Sequence, residues 1–197
     1  MRINDNPILR TGEEFLMKRL LVIPMMLVSI AIFVTGCVNM KAETTPIMPE
    51  NLRIQDTEVL SLETNAIGVQ IYECSSSKDD PTRLEWKFKA PEADLFDRAG
   101  NKIGRHYAGP TWELDDGSKV VGELKARANS PDVGAIPWLL LNVKSTSGTG
   151  LLSQTKSIQR LNTVGGTAPT EVCSQAQVGE VIRVSYRATY YFYSAKP

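Results

Sequence analysis

The sequence predicts an all-β protein, an antiparallel β-sandwich or barrel with hairpin connections. Three observations point there. Apolar and polar residues alternate at period two along several stretches, clusters of Gly, Asp and Asn interrupt them at hairpin distances, and no window after residue 50 keeps a 3.6-residue apolar period for three turns. Eight or more strands joined by hairpins form either a sandwich or a barrel.

Taken in order, "AIGVQIYEC" (Ala66 to Cys74) reads as a deeply buried strand. In "RLEWKFK", Leu84, Trp86 and Phe88 share one face and Arg83, Glu85, Lys87 and Lys89 the other. "DRAGNK" (Asp97 to Lys102) links "ADLF" to "KIGRHYAG", and "DDGS" (Asp115 to Ser118) links "TWEL" to "KVVGELKA". Both are rich in residues that adopt turn conformations at little steric cost. "PWLLLNVKS" (Pro137 to Ser145) is a second deeply buried strand, in which Trp138 belongs to the core. "STSGTG" separates it from "SQTKSIQRLNTV" (Ser153 to Val164). In "VIRVSYRATYYFY", Ile182, Val184, Tyr186, Ala188, Tyr190 and Phe192 point one way, and Arg183, Ser185, Arg187 and Thr189 the other.

The segment before the domain reads as an address. Lys18 and Arg19 precede an apolar run from Leu20 to Val34, the length of a signal-peptide core and short for a membrane span. "VTGC" (Val34 to Cys37) then resembles the bacterial lipobox. That resemblance implies cleavage after Gly36 and lipidation of Cys37, including a palmitate-type acyl chain, with two or more chains giving a stable anchor. Residues 1–16 sit badly ahead of a signal peptide, so Met17 reads as the true start, the alternative being a tolerated extension of the n-region. The expected organisation is a leader and signal peptide over 1–36, a lipidated tether over 37–49, and one β domain over 50–197. Val38, rather than Asp, follows the cysteine, which by analogy with lipoprotein sorting favours the outer membrane of a Gram-negative host.

Charge agrees with lipid rather than electrostatic anchoring. The chain of 197 residues carries 22 basic and 22 acidic side chains, and loss of residues 1–36 leaves 18 and 19. This balance argues against a nucleic-acid partner, which needs a basic surface. Of three cysteines the lipobox uses Cys37, leaving Cys74 and Cys173 in an oxidising compartment, where a disulfide is expected; two buried free thiols are the alternative. Their spacing fits no zinc site.

Together, "GVQIYEC", "WKFKAPEADLFD", "IGRHYAGPTWE", "DGSKVVG", "IPWLLL", "IQRLNTVGG" and "YYFY" resemble the family called domain of unknown function 3455, over about Leu52 to Tyr193. The resemblance implies a secreted or envelope-attached protein and brings no activity with it. A malate dehydrogenase label attached to some members finds no support here, since the chain has no GxGxxG loop between a strand and a helix.

Candidate chemistry gathers around the single histidine, His106. No GxSxG elbow or SxxK motif supplies a nucleophile. One imidazole is too few for a zinc or copper centre, so no metal or cofactor is expected. Asp115, Asp116 and Ser118 suggest an oxygen-ligand calcium site but fit a plain Asp-Gly hairpin turn better. If "TWEL" is a strand, Trp112 and Leu114 face the core while Thr111 and Glu113 face away, which keeps Trp112 and Glu113 from lining one pocket. His106, at a corner before Gly109-Pro110, reads first as a hydrogen-bonded structural residue, with Tyr107 on the opposite face. Gln159, Arg160 and Asn162 form a polar set before Gly165-Gly166. Arg160 and Asn162 share a strand face there, able to bind an anion or a sugar hydroxyl; His106 and Tyr107 are further ligand-contact candidates.

The resulting expectation is an envelope-anchored lipoprotein acting as a non-catalytic binding or structural module. Its expected partners are the membrane, through Cys37, and an envelope protein or glycan. The alternative is a secreted hydrolase that uses His106 with Glu113 or Asp116.

Overall fold

The computed structural model describes residues 48–197; the lipobox, Cys37 and the start at Met17 lie outside the described residues. Eight strands follow one another: β1 (Glu58–Ser76), β2 (Leu84–Phe96), β3 (Lys102–Tyr107), β4 (Thr111–Leu114), β5 (Lys119–Ala128), β6 (Trp138–Ser147), β7 (Thr155–Gly165) and β8 (Val181–Ala195). Each pairs antiparallel with its sequence neighbours, and β8 returns to β1, closing a barrel. The barrel is one of the two architectures expected, and closure removes the exposed edges that an open sheet would carry.

Alternation decides what enters the barrel. Ala66, Ala93, Leu95, Trp112, Leu114, Val120, Leu141, Ile158, Tyr186, Ala188, Tyr190 and Phe192 form the buried interior. The connections 97–101, 115–118 and 148–154 close one end, where Leu152 is packed into the core. The connections 77–83, 108–110, 129–137 and 166–180 close the other. There a Cys74–Cys173 disulfide, with Cα atoms 6.0 Å apart, ties the last of these loops to the end of β1.

A second apolar cluster lies outside the barrel wall. Leu52, Trp138, Leu140 and Leu161 are buried there, with Met48 and Ile54 packed on them. A 3-10 turn at Glu50–Leu52 carries Leu52 onto the sheet. The buried amide of Gln159 fixes it: Nε2 donates to Leu52 O at 2.6 Å, and Oε1 accepts from Tyr193 OH at 2.7 Å. β6 is therefore covered on both faces, as its near-continuous apolar run predicts.

Two burial expectations need correcting. Phe88 is 53% exposed, with Leu84 and Trp86 only half-buried. Residues 84–90 pair with β1 alone, since β2 meets β3 only from Ala93 to Phe96, so this ribbon projects past the barrel and lacks an opposing core. In β1 only one face is buried: Ile67 is 53% exposed while Ala66, Gln70 and Tyr72 point inward.

Candidate functional site

The barrel interior changes character along its length. Toward the 115–118 turn it is apolar, with Leu95, Leu114, Val120, Ile158 and Phe192. Toward the disulfide it becomes polar, with Gln70, Tyr72, His106, Arg160 and Tyr186 drawn together. Their positions follow from register. Gly68 pairs with Ala93 on one side and with Tyr186 on the other, Ala93 pairs with His106, and Arg160 pairs with Leu139, which packs on the interior cluster. Small residues leave room for the rings: a Cβ on Gly68 would lie 2.1 Å from Glu92 O, and one on Gly166 2.7 Å from the Tyr186 Cβ.

His106 is buried and stacked on Trp112, with ring centroids 4.4 Å apart, and tilted against Tyr190 at 5.0 Å. Its Nδ1 lies 2.8 Å from Thr111 O. A carbonyl only accepts, so Nδ1 carries the proton and Nε2 is left as an acceptor. Burial pushes the imidazole down to about 3, the bond to Thr111 opposes this, and the Arg160 charge adds to it. The ring is neutral at physiological pH.

The Arg160 guanidinium donates from Nε and Nη2 to Pro137 O, at 3.1 and 2.8 Å. Around it stand three tyrosines whose hydroxyls burial holds above the ordinary tyrosine range, an effect the Arg160 charge partly offsets. Tyr72 OH donates to Gly166 O at 2.6 Å. The Tyr186 and Tyr190 hydroxyls face each other and the Tyr190 hydroxyl faces the Arg160 guanidinium, contacts close enough to shift their ionisation though short of full hydrogen-bonding geometry. Gln70 Nε2, Trp112 Nε1 and Thr64 Oγ1, all inside the barrel, are likewise unpartnered.

The carboxylates of the alternative catalytic reading lie elsewhere. Glu113 is on the outer face, accepting from Tyr107 OH at 2.8 Å and from Arg105 Nη2 at 3.0 Å. Those two bonds hold it below the usual carboxylate range, Tyr107 contributing most. Asp116 sits at the opposite end, in the turn before β5, where Oδ1 accepts from Ser118 N and Oγ and Oδ2 from Leu151 N. Burial raises its pKa, but these bonds outweigh it and hold the group low. No three His, Cys, Asp or Glu side chains among the described residues gather into a metal site. Thr111, expected to face away, is buried under the 108–110 turn, where its hydroxyl donates to Ala108 O.

Of the polar set before Gly165, the structure sends Arg160 to the opposite face from Gln159 and Asn162. Gln159 points outward onto Leu52, and Arg160 points into the barrel. Asn162 adopts a left-handed φ of 51° at an irregularity between Leu161 and Val164, which breaks the alternation and sends its amide outward to Thr189 and Tyr191. Arg160 and Asn162 therefore do not share a face. Gln70, Tyr72, Tyr186 and Tyr190 escape a search for catalytic motifs. Parity alone marks them, since each lies on the inward register of its strand.

On the outer surface a groove of about 590 Å³ runs over β1, β2, β3 and β8, with His106 in its floor. Its charges pair among themselves: Arg183 with Glu92 at 2.7 Å, and Arg105 with Glu113 beyond the rim. Exposed pairs of this kind contribute little, about 0–1 kcal/mol each.

No curated protein and no solved structure matches the chain. The model of the family described as a protein of unknown function, DUF3455, matches residues 55–194, from just before β1 to the end of β8. The chain belongs to the DUF3455 family.

Proposed function

We propose that this chain is an envelope-tethered, non-catalytic β-barrel, a binding or structural module held to the membrane through lipid on Cys37. The observation that best supports the non-catalytic part is the bonding of His106. Its protonated nitrogen is committed to Thr111 O, and the barrel wall or the barrel's length lies between it and the two candidate carboxylates. A general base needs a partner and a substrate proton within hydrogen-bond reach. The lipobox spelling and the even cysteine pair support export and anchoring.

Two variants test the halves separately. Cys37→Ser should move the protein from the membrane fraction to the soluble fraction; unchanged retention overturns the anchor. His106→Phe should leave any measured ester or glycoside hydrolysis of the purified protein unchanged. Loss of such an activity at an unchanged melting temperature overturns the non-catalytic reading.

A further inference from the structure

Closure seals the barrel but leaves one open edge on the ribbon that projects from it. From Leu84 to Phe88, β2 has β1 on one side and no strand on the other, because its pairing with β3 starts only at Ala93. Two sets of bonds fix which backbone groups that edge presents. Ser77 N donates to Arg83 O, so the Arg83 carbonyl turns toward β1. Cys74, which stands opposite Trp86, bonds on its other side: its N–H donates to Glu180 O and its C=O accepts from Gly179 N. Opposed residues alternate between bonded and unbonded pairs along an antiparallel ladder. Trp86 therefore turns its N–H and C=O away from β1, and Leu84 and Phe88 share its parity in a stretch of ladder without irregularity. No turn or loop among the described residues bonds these three, which form a row of free donors and acceptors about 7 Å apart.

The side chains on this edge complement a copy of themselves. "LEWKF" (Leu84 to Phe88) runs apolar, acidic, aromatic, basic, aromatic. Laid antiparallel on a second copy with Trp86 on the two-fold axis, it sets Trp86 against Trp86, Leu84 against Phe88 and Glu85 against Lys87. The Leu84–Phe88 and Trp86–Trp86 pairs are then all hydrogen-bonded pairs, because these are the residues whose backbone faces the edge. Moving the axis one residue either way opposes Lys87 to Lys87 or Glu85 to Glu85, and like charges directly opposite are destabilising. Of these three registers, only the one centred on Trp86 joins opposite charges. At its ends Arg83 meets Lys89, whose charge Glu73 already pairs. Glu85 and Lys87 enter no ion pair among the described residues, whereas Lys89, Glu92 and Asp94 farther along β2 each do.

We propose that the free edge of β2 is a homodimer interface, in which two copies join antiparallel through Leu84–Phe88 and run the ribbon of one chain into that of the other. Strand addition at an open edge takes its affinity from main-chain bonds and its specificity from alternate side chains. It also gives Phe88, 53% exposed in the monomer, an apolar neighbour. Pro91 has no N–H to offer and ends the free row before β3 begins. Five residues a side is a small footprint beside standard interfaces, so the dimer dissociates in the micromolar range. The proposal goes beyond the tethered-module reading and depends on neither the anchor nor His106.

Sedimentation equilibrium of the full-length protein in density-matched detergent tests this. A reversible monomer–dimer equilibrium is expected at concentrations up to ~100 µM. Glu85→Lys and Lys87→Glu should each weaken it at least tenfold at an unchanged circular dichroism spectrum, because each sets like charges opposite one another twice across the axis. The double variant Glu85→Lys, Lys87→Glu restores opposite charges and should dimerise within threefold of wild type. An equimolar mixture of the two single variants should likewise pair, each with the other. These two arms separate edge pairing from chains that merely share a micelle. A monomer at every concentration, which leaves the edge to an extended peptide of another kind, would overturn the proposal. So would a dimer that the single variants do not weaken, or a double variant that stays monomeric. All three outcomes leave the anchor and the non-catalytic reading standing, because those fall only to membrane retention of Cys37→Ser and to a His106-dependent activity.

Discussion

His106 is inside the barrel because it occupies the same parity as Gly104 on β3 and faces Trp112 across β4. Its neutrality has a thermodynamic consequence. The unfolded chain binds a proton there near pH 6.5 and the folded chain only near pH 3, so between these values the unfolded state holds the extra proton. Stability from this residue is complete above the unfolded value and is lost as pH falls toward the folded one. Wild type should lose about 1.4 kcal/mol per pH unit relative to His106→Phe between about pH 6 and pH 4. Denaturant titrations of both proteins across that interval check this; a difference that does not change with pH contradicts it. At this scale sequence reasoning is uneven. The inward Trp112 and Leu114 and the outward Tyr107 and Glu113 follow from alternation alone. Arg160 does not, because a polar residue on a strand is assigned to solvent by default. Its inward place is set by register with Leu139 and Tyr190, partners far away in sequence, while the 48–54 segment covers the other face.

That segment is the element on which β7 depends. Gln159 joins Leu52 to Tyr193 and so couples the approach to β1, the middle of β7 and the end of β8. Gln159→Ala leaves a buried carbonyl and a phenol without partners and should cost about 1–3 kcal/mol. It should also speed amide exchange at Leu52 and Arg53, whose protecting bonds run to Pro49 and Glu50. Unchanged exchange there would show that the segment is held by apolar contact alone. Strand positions and the turns at 97–101 and 115–118 are legible because hairpins are local. The projecting ribbon of β1 and β2 is not: "RLEWKFK" alternates like any half-buried strand, and only the absence of a β3 partner exposes Phe88.

For the whole molecule, closure is the feature that alternation leaves open, since a sandwich and a barrel impose the same period on each strand. It is decided by the pairing of β1 with β8, from Glu58–Ala195 to Glu73–Val181, between the two ends of the domain. The disulfide spans 99 residues of that circuit. In the chain-entropy account such a link stabilises by about 4–5 kcal/mol. The double variant Cys74→Ala, Cys173→Ala should therefore lower the unfolding free energy by a similar amount, and an unchanged denaturation midpoint contradicts this. The barrel wall also organises the chemistry, because it separates an interior imidazole from exterior carboxylates, and that separation is the central claim. The chain has one histidine, so a nitrogen-15 correlation spectrum of the imidazole reports it without ambiguity. The prediction is a neutral ring protonated on Nδ1, with no titration from pH 8 down to about pH 5. A ring that titrates near pH 6 to 7, or that carries its proton on Nε2, contradicts the account.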